Sequence, residues 1–84
     1  MEDYLKAHKH SFENEDEINR SFLCGCFYCQ RIFPSAMLQD IDWTQDRNAK
    51  TALCPYCMID AVIGDASGFD LTEELLAKMC DYWF

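Results

Sequence analysis

Four of the six cysteines stand in two C-x-x-C pairs, and this spacing constrains the fold more than any other feature of the chain. The pairs are Cys26 with Cys29 and Cys54 with Cys57. Two thiolates this close can bind one ion from a tight turn, and two such turns supply the four soft ligands that zinc prefers. The spacing therefore predicts a tetrahedral zinc site. Because four thiolates leave no position for a catalytic water, we expect the metal to be structural.

A metal is also expected from the length of 84 residues, which allows one domain over 1–84. A lone hydrophobic core in a chain of this size gives only a few kcal/mol of net stability. A structural zinc adds an apparent binding free energy of roughly 10–16 kcal/mol in small zinc-finger peptides. We divide the domain into a helical N-terminal segment over 1–23, a zinc-binding core over 24–64 and a C-terminal helix over 69–84.

Six cysteines would also suit a disulfide scaffold, and the expected compartment argues against it. The chain begins with acidic residues and shows neither the basic nor the apolar part of a secretory signal. It has no apolar run of the roughly 18 residues that a membrane-spanning helix needs. We therefore expect a cytoplasmic protein with reduced thiols and no membrane partner.

The charge balance bears on the partner. The chain has 7 basic and 15 acidic residues, for a formal net charge of −8. Four thiolates with one Zn²⁺ would add two further negative charges. Because such a surface repels phosphate backbones, nucleic acid is not the partner that we expect.

The N-terminal segment predicts two short helices. An apolar stripe at four-residue spacing indicates the first, from about Glu2 to His10. Asn14 is predicted to be the N-cap of the second, with Glu17 completing a capping box. Ile18 and Phe22 are then predicted to face the core.

The middle of the chain predicts short strands. Residues 32–33 indicate one strand, and 41–44 with 51–53 indicate a hairpin across a polar stretch. The apolar run 58–63 after the second cysteine pair is either a helix closed by Gly64 as a left-handed cap or a strand, and we favour the helix.

A C-terminal helix is predicted from about Leu71 to Tyr82, with Asp70 as its N-cap. Leucines and a methionine at four-residue spacing give it an apolar face. Trp83 and Phe84 follow it at the chain end, where large aromatic side chains are costly to leave in water. They are predicted either to fold back onto the chain or to form a partner-binding surface, in a homodimer or with another protein.

The order of these elements resembles two known zinc folds over 26–64. A knuckle, a hairpin and a second knuckle ahead of a helix resemble a treble clef, whereas a strand after the second knuckle resembles a zinc ribbon. Met58 departs from the common pattern because glycine usually stands there. The predicted class is a small α+β domain stabilised by zinc, with a treble-clef or zinc-ribbon-like β-hairpin and N-terminal and C-terminal helices.

Several blocks resemble, in addition, a family of small bacterial cytoplasmic proteins. They include the CGCFYC block at 24–29, the TALCPYC block at 51–57 and the terminal YWF at 82–84. That family has no established biochemical function. The resemblance implies a bacterial or phage cytosolic origin and a zinc-binding module, and it supplies no catalytic residues.

Other thiols and histidines are weaker candidates. Cys24 is an alternate ligand or a neighbour of the metal, and Cys80 is predicted to be a buried structural thiol. His8 is a candidate donor of a hydrogen bond to a thiolate, as outer groups often are around metals. His10 points away from His8 on a helix. From residue 32 to the end the chain has no histidine, so a treble-clef nuclease is not expected.

These observations predict a non-enzymatic zinc-binding module that docks onto another protein, with Trp83 and Phe84 in the contact. One alternative is a zinc-ribbon adaptor for nucleic acid or transcription. Another is an acidic inhibitor that mimics DNA.

Overall fold

Short antiparallel sheets organise the computed structural model, which describes residues 3–84. In the first sheet, β1 (Leu23–Cys26) lies between β2 (Ile32–Pro34) and the last strand of the chain, β5 (Val62–Gly64). The second sheet pairs β3 (Trp43–Gln45) with β4 (Lys50–Ala52). The predicted strand at 32–33 and the predicted hairpin are thus confirmed. The first hairpin strand begins two residues later than predicted, and the second is shifted by one residue toward the N-terminus.

Three α-helices complete the part of the chain that the structure describes. They are α1 (Asp3–Ala7), α2 (Glu15–Asn19) and α3 (Glu73–Trp83). Single 3-10 turns lie at His8–Ser11, Ser35–Met37, Asp40–Asp42 and Asp65–Ser67. Glu2, the predicted start of the first helix, lies outside the described residues. Within residues 3–84, no helix combines the length and the apolar character required to cross a membrane.

The first sheet is covered on both faces, as two glycines show. A Cβ atom on Gly25 would lie 3.1 Å from Leu76 of α3, so α3 packs directly on that face of β1. A Cβ atom on Gly64 would overlap Ser21, so the residues after α2 pack on the other face. Cys24 is opposite Gly64 in the register and therefore shares that second face. Large side chains fill the space between these layers: Ile18, Phe27, Phe33, Ile63, Leu76 and Met79.

Asn14 connects the N-terminal segment to both sheets. Its side-chain amide donates to the carbonyls of His10 at 2.9 Å and Val62 at 2.8 Å, and its oxygen accepts the N–H of Ala52 at 3.0 Å. The predicted N-cap position is confirmed, because Asn14 directly precedes α2 and its carbonyl accepts the N–H of Ile18 at 2.8 Å, but its side chain makes no capping hydrogen bond. The predicted capping box is also absent, because the Glu17 carboxylate contacts His10 Nδ1 at 2.8 Å instead.

Phe22 is another correction, because its side chain is 86% exposed and does not face the core. The predicted four-residue spacing from Ile18 holds only while the helix continues, and α2 ends at Asn19. Ile18 is buried as predicted. Phe22 lies in a bend before β1, and its carbonyl accepts the N–H of Ser35.

Only the end of the run 58–63 is regular, and it forms a strand where we favoured a helix. Val62–Gly64 pairs with β1, and all three residues of β5 are buried. Gly64 has φ of −106° and is no left-handed cap, whereas Gly68 has φ of 92°. The pairing with β1 decides the conformation, because an isolated apolar run is ambiguous between helix and strand.

The C-terminal helix is confirmed with a shifted start. Thr72 is the N-cap, and its hydroxyl accepts the N–H of Leu75 at 3.1 Å. Asp70 was therefore the wrong cap. Leu75 and Met79 of the predicted apolar face are buried, together with Leu76.

Candidate metal centre

Each cysteine pair lies on a tight turn with the same backbone hydrogen bonds. In the first turn, the N–H of Cys26 donates to the carbonyl of Arg31 at 2.9 Å, and the N–H of Gln30 donates to the carbonyl of Cys26 at 2.8 Å. Cys54 makes the equivalent hydrogen bonds in the second turn, at 3.0 and 2.8 Å. The two turns, which we call the first and second knuckle, are therefore structural equivalents.

The residue after each pair has a left-handed backbone. Gln30 has φ of 64° and Met58 has φ of 62°. Glycine adopts this region freely, whereas for a residue with a side chain this conformation costs roughly 1–2 kcal/mol of conformational free energy. Met58 thus keeps the backbone turn of the common glycine pattern without the glycine.

The four sulfur atoms of the pairs converge on one point. All four lie within 4.8 Å of one another. Cys26 Sγ is 3.6 Å from Cys57 Sγ, and Cys29 Sγ is 3.6 Å from Cys54 Sγ. These cysteines are free thiols rather than disulfides. Zn–S bonds of about 2.3 Å in a tetrahedron place the sulfurs about 3.8 Å apart, so the donor set fits one tetrahedral ion.

Backbone amides point at the first sulfur of each pair. The N–H of Tyr28 donates to Cys26 Sγ, and the N–H of Tyr56 donates to Cys54 Sγ, both at 3.4 Å. Cys26 and Cys54 are fully buried, so these donors stabilise negative charge on sulfurs that water does not reach.

Without a cation, the site resists carrying four negative charges. Burial raises the pKa of Cys26 and of Cys54, against the opposing effect of the backbone hydrogen bonds. Burial also raises the pKa of Cys29, but hydrogen bonds from the Arg31 backbone and the neighbouring thiols outweigh it and leave that pKa below its usual value. A bound divalent cation offsets the repulsion, so metal affinity should fall as protons compete at lower pH.

Aromatic side chains surround the two knuckles. The guanidinium carbon of Arg31 lies 4.5 Å from the centre of the Tyr56 ring, which also packs edge-on against Phe33. On the first knuckle, the Tyr28 ring packs edge-on against the Phe84 ring, with ring centroids 4.9 Å apart. Residues distant in sequence therefore hold the middle of each C-x-x-C unit.

The remaining thiols lie outside the cluster of four sulfurs. Cys24 is fully buried in the first sheet, and burial, with the charge of Asp65, raises its pKa to about 12. Cys80 is only partly buried, so the prediction of a buried thiol holds in part. Its sulfur lies 3.6 Å from the carbonyl of Tyr28, to which it donates.

His8 lies among aromatic rings rather than at the sulfurs. Its ring stacks on Trp83 with centroids 3.8 Å apart, and it lies 5.9 Å from the ring of Phe27. The predicted hydrogen bond from His8 to a thiolate therefore has no support in these contacts.

The chain end folds back onto its own chain. The indole N–H of Trp83 donates to the carbonyl of Tyr4 at 3.1 Å, and the Phe84 ring lies 5.8 Å from that of Phe27. Trp83 nevertheless remains 38% exposed and Phe84 59% exposed. Sequence reasoning missed these partners, as it missed the side-chain partners of Asn14, because no local pattern specifies contacts so distant along the chain.

No protein-family model, curated protein or solved structure matches this chain. The resemblance to the bacterial family stays a prediction. The geometry of the four sulfurs is therefore the main evidence on function.

Proposed function

We propose that Cys26, Cys29, Cys54 and Cys57 bind one structural Zn²⁺. The observation that carries this proposal is the convergence of four free thiols from two equivalent knuckles to within 4.8 Å. A tetrahedral set of four thiolates suits zinc or iron among the common metals. Zinc is the metal that we propose, since it has no redox chemistry and its structural sites commonly take this ligand set.

The arrangement that we propose is zinc-ribbon-like. A strand follows each knuckle, β2 after the first and β5 after the second, and both strands pair with β1. A treble clef would have a helix after the second knuckle. The position of β5 therefore favours the ribbon.

In this proposal the metal joins the two sheets. The first knuckle connects β1 to β2, whereas the second connects β4 of the other sheet to β5. One ion bound to both knuckles thus stabilises contacts between segments far apart in sequence. Binding energy of this kind is folding energy, because the unfolded chain has no preformed site.

We further propose that the zinc-stabilised domain is a non-enzymatic module that binds another protein. Support comes from the four-thiolate donor set, which leaves a bound zinc no open position. It also comes from apolar side chains in water: Tyr28, Tyr82, Trp83 and Phe84, which we call the C-terminal aromatic surface, are 38–59% exposed. The net charge of −8 disfavours the alternative of a nucleic-acid adaptor.

Native mass spectrometry of protein prepared without added metal tests the zinc site. We expect one zinc per chain, and we expect its loss or weakening in Cys26→Ser or Cys54→Ser. Cys80→Ser is the matched control, since this thiol lies outside the cluster, and it should keep the metal. Wild-type protein that is well folded without any metal would contradict the proposal.

Affinity capture from the source cells tests the protein-binding role. The bait would be the wild type, a Tyr82→Ala, Phe84→Ala double variant, and Phe22→Ala as the control for an exposed aromatic residue elsewhere. A partner retained by the wild type and the control but lost from the double variant supports the C-terminal aromatic surface. If no partner is reproducible with the wild type, the role in protein binding is wrong.

A further inference from the structure

Two close sulfur contacts of the cluster run between the knuckles. Cys26 is in contact with Cys57 and Cys29 with Cys54, each at 3.6 Å. A disulfide requires about 2.05 Å between its sulfurs, so either contact needs a small closing movement. A disulfide at either contact would join the two knuckles through cysteines that are 25 or 31 residues apart in sequence.

Each of these contacts pairs an accessible sulfur with an inaccessible one. Cys29 and Cys57 are partly exposed, whereas Cys26 and Cys54 are buried. A small oxidant in water therefore meets Cys29 or Cys57 first. In each case a buried sulfur of the other knuckle is in contact with the sulfur that has been attacked.

We propose that hydrogen peroxide converts the metal site into two disulfides that cross between the knuckles, Cys26–Cys57 and Cys29–Cys54, with release of the metal. This inference rests on the proposed function, because it concerns the same four thiolates. It adds a redox response to a site that would otherwise be only structural.

The chemistry takes two steps for each disulfide. A partly exposed thiolate attacks peroxide, the O–O bond breaks, and a sulfenic acid and one hydroxide ion form. The buried thiolate then attacks the sulfenic sulfur, the S–S bond forms, and a second hydroxide ion leaves. Two peroxide molecules thus oxidise all four thiolates to two disulfides. The divalent ion leaves unchanged, because its ligands have been consumed.

Crossed disulfides would preserve the link between the two knuckles that the metal provides. Each bond joins the first knuckle to the second, as the ion does, so the oxidised protein should remain folded after the metal has left. Disulfides within each C-x-x-C pair would instead leave the two knuckles unconnected. Metal-free reduced protein, which has neither link, is the reference for an unfolded state.

Peptide mapping distinguishes the two pairings. Trypsin cleavage after Arg20, Arg31, Lys50 and Lys78 places the first cysteine pair on peptide 21–31 and the second on peptide 51–78. Crossed disulfides join these peptides into one species, whereas disulfides within each pair leave two separate peptides. Chymotrypsin, which cleaves after Tyr28 and Tyr56, then separates the cysteines within each pair and identifies which is bonded to which.

The experiment uses zinc-loaded protein, peroxide in steps up to two molecules per zinc, a colorimetric chelator to report free zinc, and alkylation of unreacted thiols before digestion. Circular dichroism follows the fold. Cys24→Ala and Cys80→Ala are matched controls that remove thiols outside the cluster. The expected result is zinc release in step with the joined peptides, retained secondary structure, and the same map in both controls.

Separate peptides, or sulfinic and sulfonic acids without disulfides, would overturn the inference even if zinc is bound and released. A preparation that contains no zinc at the start contradicts the proposed function instead. In that case, peroxide treatment of the metal-free protein still gives a peptide map, which supports or overturns the crossed pairing independently.

Discussion

Buried polar side chains join elements that are far apart in this chain. Asn14 makes three hydrogen bonds to backbone groups of three segments. The hydroxyl of Thr51 accepts the N–H of Glu13 and donates to the carboxylate of Asp46. Ser21 accepts the N–H of a residue 45 positions later. Because buried polar groups are costly when unsatisfied, these residues should matter more than their size suggests.

Replacement of Asn14 tests this view. Asn14→Ala removes the hydrogen-bond partner of two backbone carbonyls and one backbone N–H. We therefore expect the free energy of unfolding to fall by about 3 kcal/mol. Asn19→Ala, an exposed asparagine at the end of α2, is the control and should change it by no more than about 0.5 kcal/mol. Urea unfolding of the metal-loaded variants measures both, and equal effects would show that Asn14 does not have this role.

The two knuckle residues with a left-handed backbone, Gln30 and Met58, give a second prediction for single residues. Met58→Gly relieves an unfavourable backbone conformation and removes a side chain that is 45% exposed, so stability should rise by up to about 1 kcal/mol. Gln30→Gly should behave alike because its backbone is equivalent. Met58→Val, which is β-branched, should destabilise the protein. A Met58→Gly variant less stable than Met58→Val in thermal unfolding would refute the assignment.

At the scale of elements, α3 and the chain end close one side of the fold. Leu76 covers the central strand at Gly25. Trp83, the last residue of α3, packs on the N-terminal segment, and Phe84 after it packs on the first knuckle. The stack of Trp83 on His8 and the contacts of Phe84 extend that cover to the last residue of the chain. The terminal aromatic residues therefore act within the chain, whatever else they bind.

Deletion of Trp83 and Phe84 should consequently destabilise the monomer. Aromatic pairs contribute about 0.5–1.5 kcal/mol each beyond burial, so we expect a loss of roughly 2 kcal/mol in the free energy of unfolding. Phe22→Ala, an aromatic residue 86% exposed, should have little effect. Chemical unfolding with mass measurement in solution separates the outcomes. A change from dimer to monomer, with stability per chain unaltered, would place these residues in an interface instead.

Elements were predictable where the determining contacts are local. The stripe of α3 and the spacing within each C-x-x-C pair are carried by neighbouring residues, and both predictions agree with the structure. Whether Val62 and Ile63 form a strand depends on β1, which lies far earlier in the chain. The sequence placed Asn14 at the start of α2 but did not reveal the partners of its side chain, one of which is 48 positions away. Such contacts leave no periodic signal in the sequence.

At the scale of the whole molecule, charge limits the partners. The formal net charge is −8, and a bound zinc with four thiolates makes it more negative. We therefore expect no binding to generic duplex DNA at physiological salt, because non-specific binding depends on cations that release counterions. A gel shift at micromolar protein that weakens with added salt would contradict this expectation and favour a nucleic-acid adaptor. An arginine-rich zinc finger of known affinity serves as the positive control.

The central claim is that one zinc ion, held by four thiolates, connects the two knuckles. X-ray absorption at the zinc edge, on protein purified without added metal, tests it most directly. The predicted result is one zinc per chain with four sulfur neighbours at about 2.3 Å and no nitrogen or oxygen neighbour. Iron in place of zinc, a first shell containing nitrogen or oxygen, or a folded protein without metal would contradict the claim.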